Sequence, residues 1–408
     1  MKNPLSEEAL LSDIVRFAEL GDHRTASMAD LATSEWVKTE LEKVGLAAEL
    51  DPWPLRQFQN LNCRLRVFGK QCDTFPLWYP RSTGSEPIVA RLVQGDNHGD
   101  LRGAIALVQF PDVMVTEKSA HARMIHALAE AGARAVVGCT PHVSGEIYGQ
   151  NVIPPHNQTP WPLPVLMIAP SDWHVFEAAA RLGSSVEFLL DGVDCADLCA
   201  NNVVAYRERG DRWIIVSTPQ SGWFRSAGER GAGLALLLGL ARWMALAETD
   251  HSLLFLSNSG HEIGHLGAFH ALSNPRLPKP GQCDCWLHLG SCIATHDFDR
   301  NNHLLVPASP PDPSWLFASQ DLIEPLSHSF SDLTHLTPEL YNRDHGEIRW
   351  ILERGYSAFS LMGAQQFFHL KGDGPEVVNG RLIEKVGAAL KNTLGNIMAR
   401  KASIPFAS

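Results

Sequence analysis

Residues 252–269 read Ser-Leu-Leu-Phe-Leu-Ser-Asn-Ser-Gly-His-Glu-Ile-Gly-His-Leu-Gly-Ala-Phe, and this stretch decides how the chain is read. The apolar run at 253–256 is short and ends on small polar residues and Gly260, as expected of a strand buried on both faces. Directly behind it, His261, Glu262 and His265 satisfy the pattern H-E-x-x-H. On a continuous helix that spacing sets two imidazoles on one face to grip zinc, with the carboxylate as general base. Gly264 inside the motif and the strand just before it argue against a continuous helical turn. The extended form of the motif would also need Gly and His where this chain has Ala268 and Ala271. A buried strand with a titratable turn at its carboxyl end is therefore expected, and an H-E-x-x-H zinc protease is the lesser alternative.

The same alternation continues outward. Residues 213–217 read as a strand, 233–247 as a strongly apolar helix, 252–257 and 285–290 as strands, and 380–394 as a closing helix. Strands separated by buried helices make a mostly parallel sheet covered on both faces, and ligands sit beyond the carboxyl ends of such strands. The residues after Ser217, Ser257 and Leu289 are thus the places for a site. Towards the amino terminus, amphipathic helices are expected at 7–20 and 27–44 and an alternating strand at 55–69. Pro and Gly thicken over 80–87 and mark a boundary. A second α/β unit then runs over about 87–193, with strands at 103–110, 133–139, 164–168 and 186–190 and helices at 120–131 and 173–182.

A chain of 408 residues has room for two or three domains, and 45% hydrophobic with 19% charged residues is the composition of a folded protein. Lys plus Arg number 34 against 45 Asp plus Glu, a net charge of −11, which argues against binding nucleic acid or an anionic membrane. Acidic residues interrupt the first 13 positions, where a secretory signal needs an apolar stretch, and no run reaches the roughly 18 to 20 apolar residues of a membrane span. The expectation is a cytoplasmic protein, with homo-oligomerisation left open. Eight cysteines at 63, 72, 139, 195, 199, 283, 285 and 292 lack zinc-knuckle spacing and read as reduced structural thiols.

Five segments carry a resemblance: NVVAYRERGDRWIIVS at 202–217, SAGERGAGLALLLGLARWM at 226–244, LLFLSNSGHEIGHLGAF at 253–269, CWLHLGS at 285–291 and ERGYSAFSLMGAQQFFHLKGD at 353–373. In order and spacing the chain resembles the co-catalytic zinc aminopeptidases of peptidase family M28 and their glutaminyl-cyclase relatives. Residues 87–193, with GARAVVG at 132–138 and LPVLMIA at 163–169, resemble the protease-associated domain inserted in some of these enzymes. The resemblance implies an α/β zinc-exopeptidase fold built from 1–86 and 194–408, with a mostly parallel sheet flanked by helices and a small α/β insert at 87–193. It implies a hydrolase acting on an amide or peptide bond of a small-molecule or short-peptide substrate.

Position by position, the family's first ligands, His-x-Asp, fall on Thr218-Pro219-Gln220, which offers no good zinc ligand. The metal-bridging Asp falls on Glu229 and the Glu-Glu pair of base and ligand on His261-Glu262. The next Asp ligand falls on His288 and the closing His on His369. The resemblance therefore implies at most one zinc per chain, held by Glu229, Glu262 and His369, with His288 as a fourth ligand or proton carrier. His261, standing where the base should be, becomes the acid/base, titrating near or somewhat above about 6.5 if nearby carboxylates outweigh desolvation. Arg230, Arg225 and Trp223 lie in the loop that replaces the lost ligands and are candidate substrate contacts, since Arg pairs with carboxylates in a bidentate manner. His345 matches a pocket-shaping Asp-His segment of the family, whereas His265 and His270 are expected beyond the site. Loss of the His-x-Asp ligands and of the catalytic Glu favours a competing reading, a catalytically silent homologue that uses the crevice for binding or assembly.

Overall fold

The computed structural model describes residues 3–95, 100–110, 114–115, 120–152, 160–299, 304–306, 314–342 and 346–399. Two helices open the chain, Glu7–Glu19 and Met28–Lys43, each capped by a serine whose hydroxyl accepts a backbone N–H: Ser6 from Ala9 and Ser27 from Asp30. Their apolar faces, Leu10, Ile14 and Phe17 on the first and Val37 and Leu41 on the second, share one core with helix Ala232–Met244. That helix is apolar round most of its length because it is covered by the sheet on one side and the opening helices on the other, with Arg242 and Trp243 half-buried near its end.

Four neighbouring parallel strands form the centre of the sheet. Trp213–Pro219 pairs with Ser252–Asn258 on one side and Cys283–Leu289 on the other, and Cys283–Leu289 pairs with Ala358–Gly363. Ser217 stands level with both Leu256 and His288, and His288 with Ser360. Because all four run the same way, the loops after Pro219, Asn258, Leu289 and Gly363 emerge at one edge. Antiparallel strands flank this centre, Ser314–Ala318 beside Ala358–Gly363 and Ser185–Arg207 beside Ser252–Asn258.

The boundary expected at 193 falls inside a single strand. Ser185–Arg207 runs for 23 residues and pairs along most of its length with Ala47–Val67. Its first residues pair with Ile88–Gln94, which leads through the parallel strands Ile105–Gln109, Ala135–Cys139 and Val165–Met167. Helices Ala120–Glu130 and Trp173–Arg181 belong to the same region. One hydrogen-bonded ladder thus joins both regions. The strand expected to end at 190 instead continues through a bulge, where Gly192 lies opposite Asn60 beside a shift in register. Among the described residues no helix is long and apolar enough to cross a membrane.

Candidate active site

The loops at the carboxyl edge are tightly wound. The chain leaves Trp213–Pro219 through a loop into a π-helical turn, Ala227–Gly231, which carries Glu229 and Arg230. It leaves Ser252–Asn258 through Gly260 into the short 3-10 turn His261–Ile263. Phe224, Ser226, His265, Cys292 and His369 all hold left-handed backbones although none is glycine, a concentration of strain typical of functional loops. Gly260 and Gly264, at φ 82° and 87°, bracket the 3-10 turn in conformations suited to glycine. The H-E-x-x-H segment is therefore no continuous helix, as the strand and Gly264 imply. The reversal at Gly264 and His265 nonetheless folds His265 back, its ring 4.7 Å from that of His261. This corrects the expectation that His265 lies beyond the site.

His261 Nδ1 lies 2.8 Å from Glu347 Oε1. A carboxylate accepts, so the ring proton of neutral His261 is on Nδ1 and Nε2 presents a lone pair. Glu347 is buried, and its Oε2 has no hydrogen-bond partner and faces His288 Nε2 at 3.8 Å. Ser217 Oγ lies 2.9 Å from His288 Nδ1 and accepts from Trp286 Nε1 at 2.7 Å. Burial drives His261 well below the ordinary histidine range; the Arg230 charge adds to this, and Glu229 opposes it without prevailing. Burial likewise takes His265 and His288 down to about 4. Desolvation thus outweighs the carboxylates, and all three imidazoles are neutral at neutral pH. Glu347 escaped the sequence reading because no motif marks a lone Glu ahead of helix Ile348–Glu353. His345, the residue singled out nearby, lies outside the described residues.

Glu229 and Arg230 are fully buried side by side, with Arg230 Nη2 2.6 Å from Glu229 Oε1. His369 Nε2 is 3.3 Å from the same oxygen, while its Nδ1 donates to the carbonyl of Gly149 at 2.9 Å. The carboxylate thus lies between the guanidinium and the His369 ring. Burial alone would raise the Glu229 carboxyl, but Arg230, His369 and His261 outweigh it and hold the group at about 2. Asp373 fixes the π-helical turn, its carboxylate accepting from the N–H groups of Gly228 and Glu229 at 2.8 and 3.0 Å. Apart from the Glu229–Arg230 ion pair and the His369 contact, Glu229 Oε1, His369 Nε2 and both terminal nitrogens of Arg230 are buried without a hydrogen-bond partner. Such groups are rare in folded proteins and collect where a ligand completes the bonding. His261 feels the charges of Arg230 and Glu229, so both groups border one crevice.

Three expected site residues go elsewhere. Glu262 turns towards the opening helices, its Oε1 accepting from both the N–H and the hydroxyl of Thr25 at 2.5 Å and its Oε2 from Ser221 at 2.7 Å. Trp223 is buried against Phe75 and Trp78 and donates to Asn151 Oδ1 at 2.8 Å, a core position. Arg225 lies on the surface, 3.7 Å from Glu376. His261, His288, Glu229, Arg230 and His369 are the expected residues that do meet.

No protein-family model matches the sequence, and no curated protein matches it. Solved structures match over nearly the whole length. BSAP, a zinc aminopeptidase from Bacillus subtilis, superposes with a TM-score of 0.77 at 13% identity, covering 99% of this chain and 98% of that one. The chain has the zinc-aminopeptidase fold. A peptidase M28 precursor from Shewanella amazonensis gives a TM-score of 0.70 at 13% identity, over 97% and 96% of the two chains. A glutaminyl cyclase from Tannerella forsythia shares the topology less closely, at 0.51 and 9% identity over 97% and 99%. The α/β exopeptidase architecture implied by the sequence is thus the architecture observed.

In an aminopeptidase fold the fit of these residues to zinc can be tested on their lone pairs. Zinc bonds of about 2.0 to 2.2 Å in a tetrahedron place ligand atoms roughly 3.3 Å apart. The Glu229–His369 pair has that spacing, but the cation in contact with it is Arg230. Among the described residues only His261, His265 and Glu347 bring three potential ligand atoms within 4.8 Å of one another. His261 Nε2 and Glu347 Oε2 are free there, but His265 Nδ1 accepts from the indole N–H of Trp350 at 3.1 Å. The Trp350 bond leaves the ring proton of neutral His265 on Nε2, so this ring offers no free lone pair. Neither this trio nor the set Glu229, Glu262, His369 and His288 presents a zinc site in this arrangement.

Proposed function

We propose that the chain hydrolyses an amide bond in a small, peptide-like substrate, with His261 as general base. The observation that carries the proposal is the 2.8 Å contact between His261 Nδ1 and Glu347 Oε1 at the carboxyl edge of an aminopeptidase-fold sheet. Glu347 fixes the tautomer, so Nε2 takes the proton of a water attacking the substrate carbonyl, and the carboxylate stabilises the imidazolium that forms. His261 then returns the proton to the departing amine. Arg230 has an unpartnered terminal nitrogen to donate to the carbonyl oxygen as negative charge develops there. Glu229 holds that guanidinium in place. The zinc of the aminopeptidases enters none of these steps, because the residues present do not form its ligand set. Residues 87–193 are read as a protease-associated-like insert whose Tyr148–Gly149 stretch borders the crevice at His369.

A silent homologue that binds a peptide-like ligand is the competing reading. The engagement of Glu262 and Ser221 in hydrogen bonds with Thr25 and each other favours it. A panel of aminoacyl amides and dipeptides, followed by mass spectrometry, separates the two. Turnover by the parent that falls about 10² to 10⁴-fold in His261→Ala, at unchanged melting temperature, supports the hydrolase. Binding of a panel member without turnover selects the silent homologue.

A further inference from the structure

We propose that the crevice of this chain works without a metal ion, the Arg230 guanidinium supplying at Glu229 the positive charge that a bound cation supplies in a metal-dependent site. The inference holds whether or not the substrate is hydrolysed.

Its first support is that the segment where the family's first ligands fall, Thr218 to Ser221, and the expected ligand Glu262 are closed by hydrogen bonds, which leaves Glu229 and His369 beside Arg230. Thr218 Oγ1 donates to the carbonyl of Leu289 at 2.9 Å. Gln220 sends its amide into helix Met28–Lys43, Nε2 donating to Ser34 Oγ at 2.6 Å and Asp30 Oδ1 at 3.0 Å, while Oε1 accepts from Ser257 at 2.8 Å. Ser221 Oγ accepts the N–H of Gly260 at 2.8 Å and donates to Glu262 at 2.7 Å. Thr25 engages both lone pairs of Glu262 Oε1. Residues from four separated stretches of sequence thus satisfy one another where a ligand set would have to stay open.

Arg230 is the second support. It is 1% exposed, its Nε donates to the Ser221 carbonyl at 2.9 Å, and its Nη2 touches the one carboxylate oxygen that also faces His369. A divalent ion between Glu229 and His369 would meet a fixed like charge in a water-poor site, where repulsion is weakly screened. The same guanidinium is tied through Ser221 to the network that engages Glu262, so it is part of the closed arrangement rather than a side chain free to swing aside.

The test is metal content and its linkage to stability. Protein made without an affinity tag in zinc-supplemented medium is gel-filtered, analysed for metals, and melted with zinc or with a chelator. The expected result is zinc far below stoichiometric and a melting temperature that neither reagent moves. Roughly one retained zinc per chain, or a melting temperature lowered by the chelator, overturns the proposal. Arg230→Asn removes the charge and should gain a zinc-dependent rise in melting temperature through Glu229 and His369, whereas Arg230→Lys should stay indifferent. A folded Arg230→Asn that ignores zinc overturns the role given to the guanidinium. Should that variant fail to fold, the parent and Arg230→Lys decide, since tight zinc in either sinks the idea. A chain that hydrolyses nothing and keeps no zinc fails the hydrolase reading and leaves this one standing.

Discussion

His261 is legible in the sequence because it sits in a motif; Glu347, 86 positions later, is legible only once the fold brings the two together at 2.8 Å. The pair makes a graded prediction. Glu347→Gln keeps a carbonyl to accept from Nδ1 but loses the charge that stabilises the imidazolium, so turnover should fall, though by less than the loss of about 10² to 10⁴ expected for His261→Ala. Equal turnover in Glu347→Gln and parent would make Glu347 a structural partner only. A second residue-scale prediction concerns His23, which is fully buried, stacked 3.6 Å from Phe17, and bonded through Nε2 to the Phe17 carbonyl at 2.9 Å. Burial lowers its pKa to about 3 in the folded chain, against about 6.5 unfolded. Between those values the unfolded chain binds the extra proton, so the stability His23 contributes is complete above about pH 6.5 and is lost as pH falls towards about 3. His23→Gln should lose less stability than the parent on acidification over that window, measured by denaturant melts. Parallel pH profiles would contradict it.

Elements defined by local signals are legible in the sequence, and those defined by distant partners are not. Helices expected at 7–20, 27–44, 120–131 and 173–182 end within a residue or two of those observed, because caps and 3.6-residue periodicity lie in the helix itself. The strand expected at 55–69 begins eight residues earlier, at Ala47, since its partner Ser185–Arg207 sets its length. The stretch at Tyr148–Gly149 was not legible as part of the site at all. Gly149 bonds His369 from both sides, its N–H donating to the His369 carbonyl at 2.8 Å and its carbonyl accepting from Nδ1. A Cβ on Gly149 would lie 2.6 to 3.0 Å from three Trp223 atoms, one of them Cβ and two in the indole ring. Gly149→Ala should therefore push this stretch off the crevice, costing about 1 to 3 kcal/mol of stability and disturbing the orientation of His369. Stability within about 0.5 kcal/mol of the parent, by denaturant unfolding, would mean that Trp223 yields and the contact does not position His369.

At the scale of the whole molecule, the parallel centre of the sheet and its active edge follow from the apolar runs and their order, whereas the way the two regions join does not. The sequence places a boundary at 193; the fold instead runs a 23-residue strand through it. Packing repeats the point. Leu92, Ile105, Val136, Leu166 and Phe188 from the 87–193 region share one apolar cluster with Trp53, Phe58 and Trp78 before it and with Trp223, Phe224 and Ile263 from the crevice loops. The apolar cluster of the region is thus continuous with that of the flanking chain. Unfolding by heat or guanidinium should accordingly be one transition, with tryptophan fluorescence and far-ultraviolet circular dichroism coincident. Amide exchange in Ala135–Cys139 and in Ser252–Asn258 should report the same opening free energy. Two resolved transitions, or a separately produced 87–193 segment that folds, would show that the ladder and shared cluster join two independent domains.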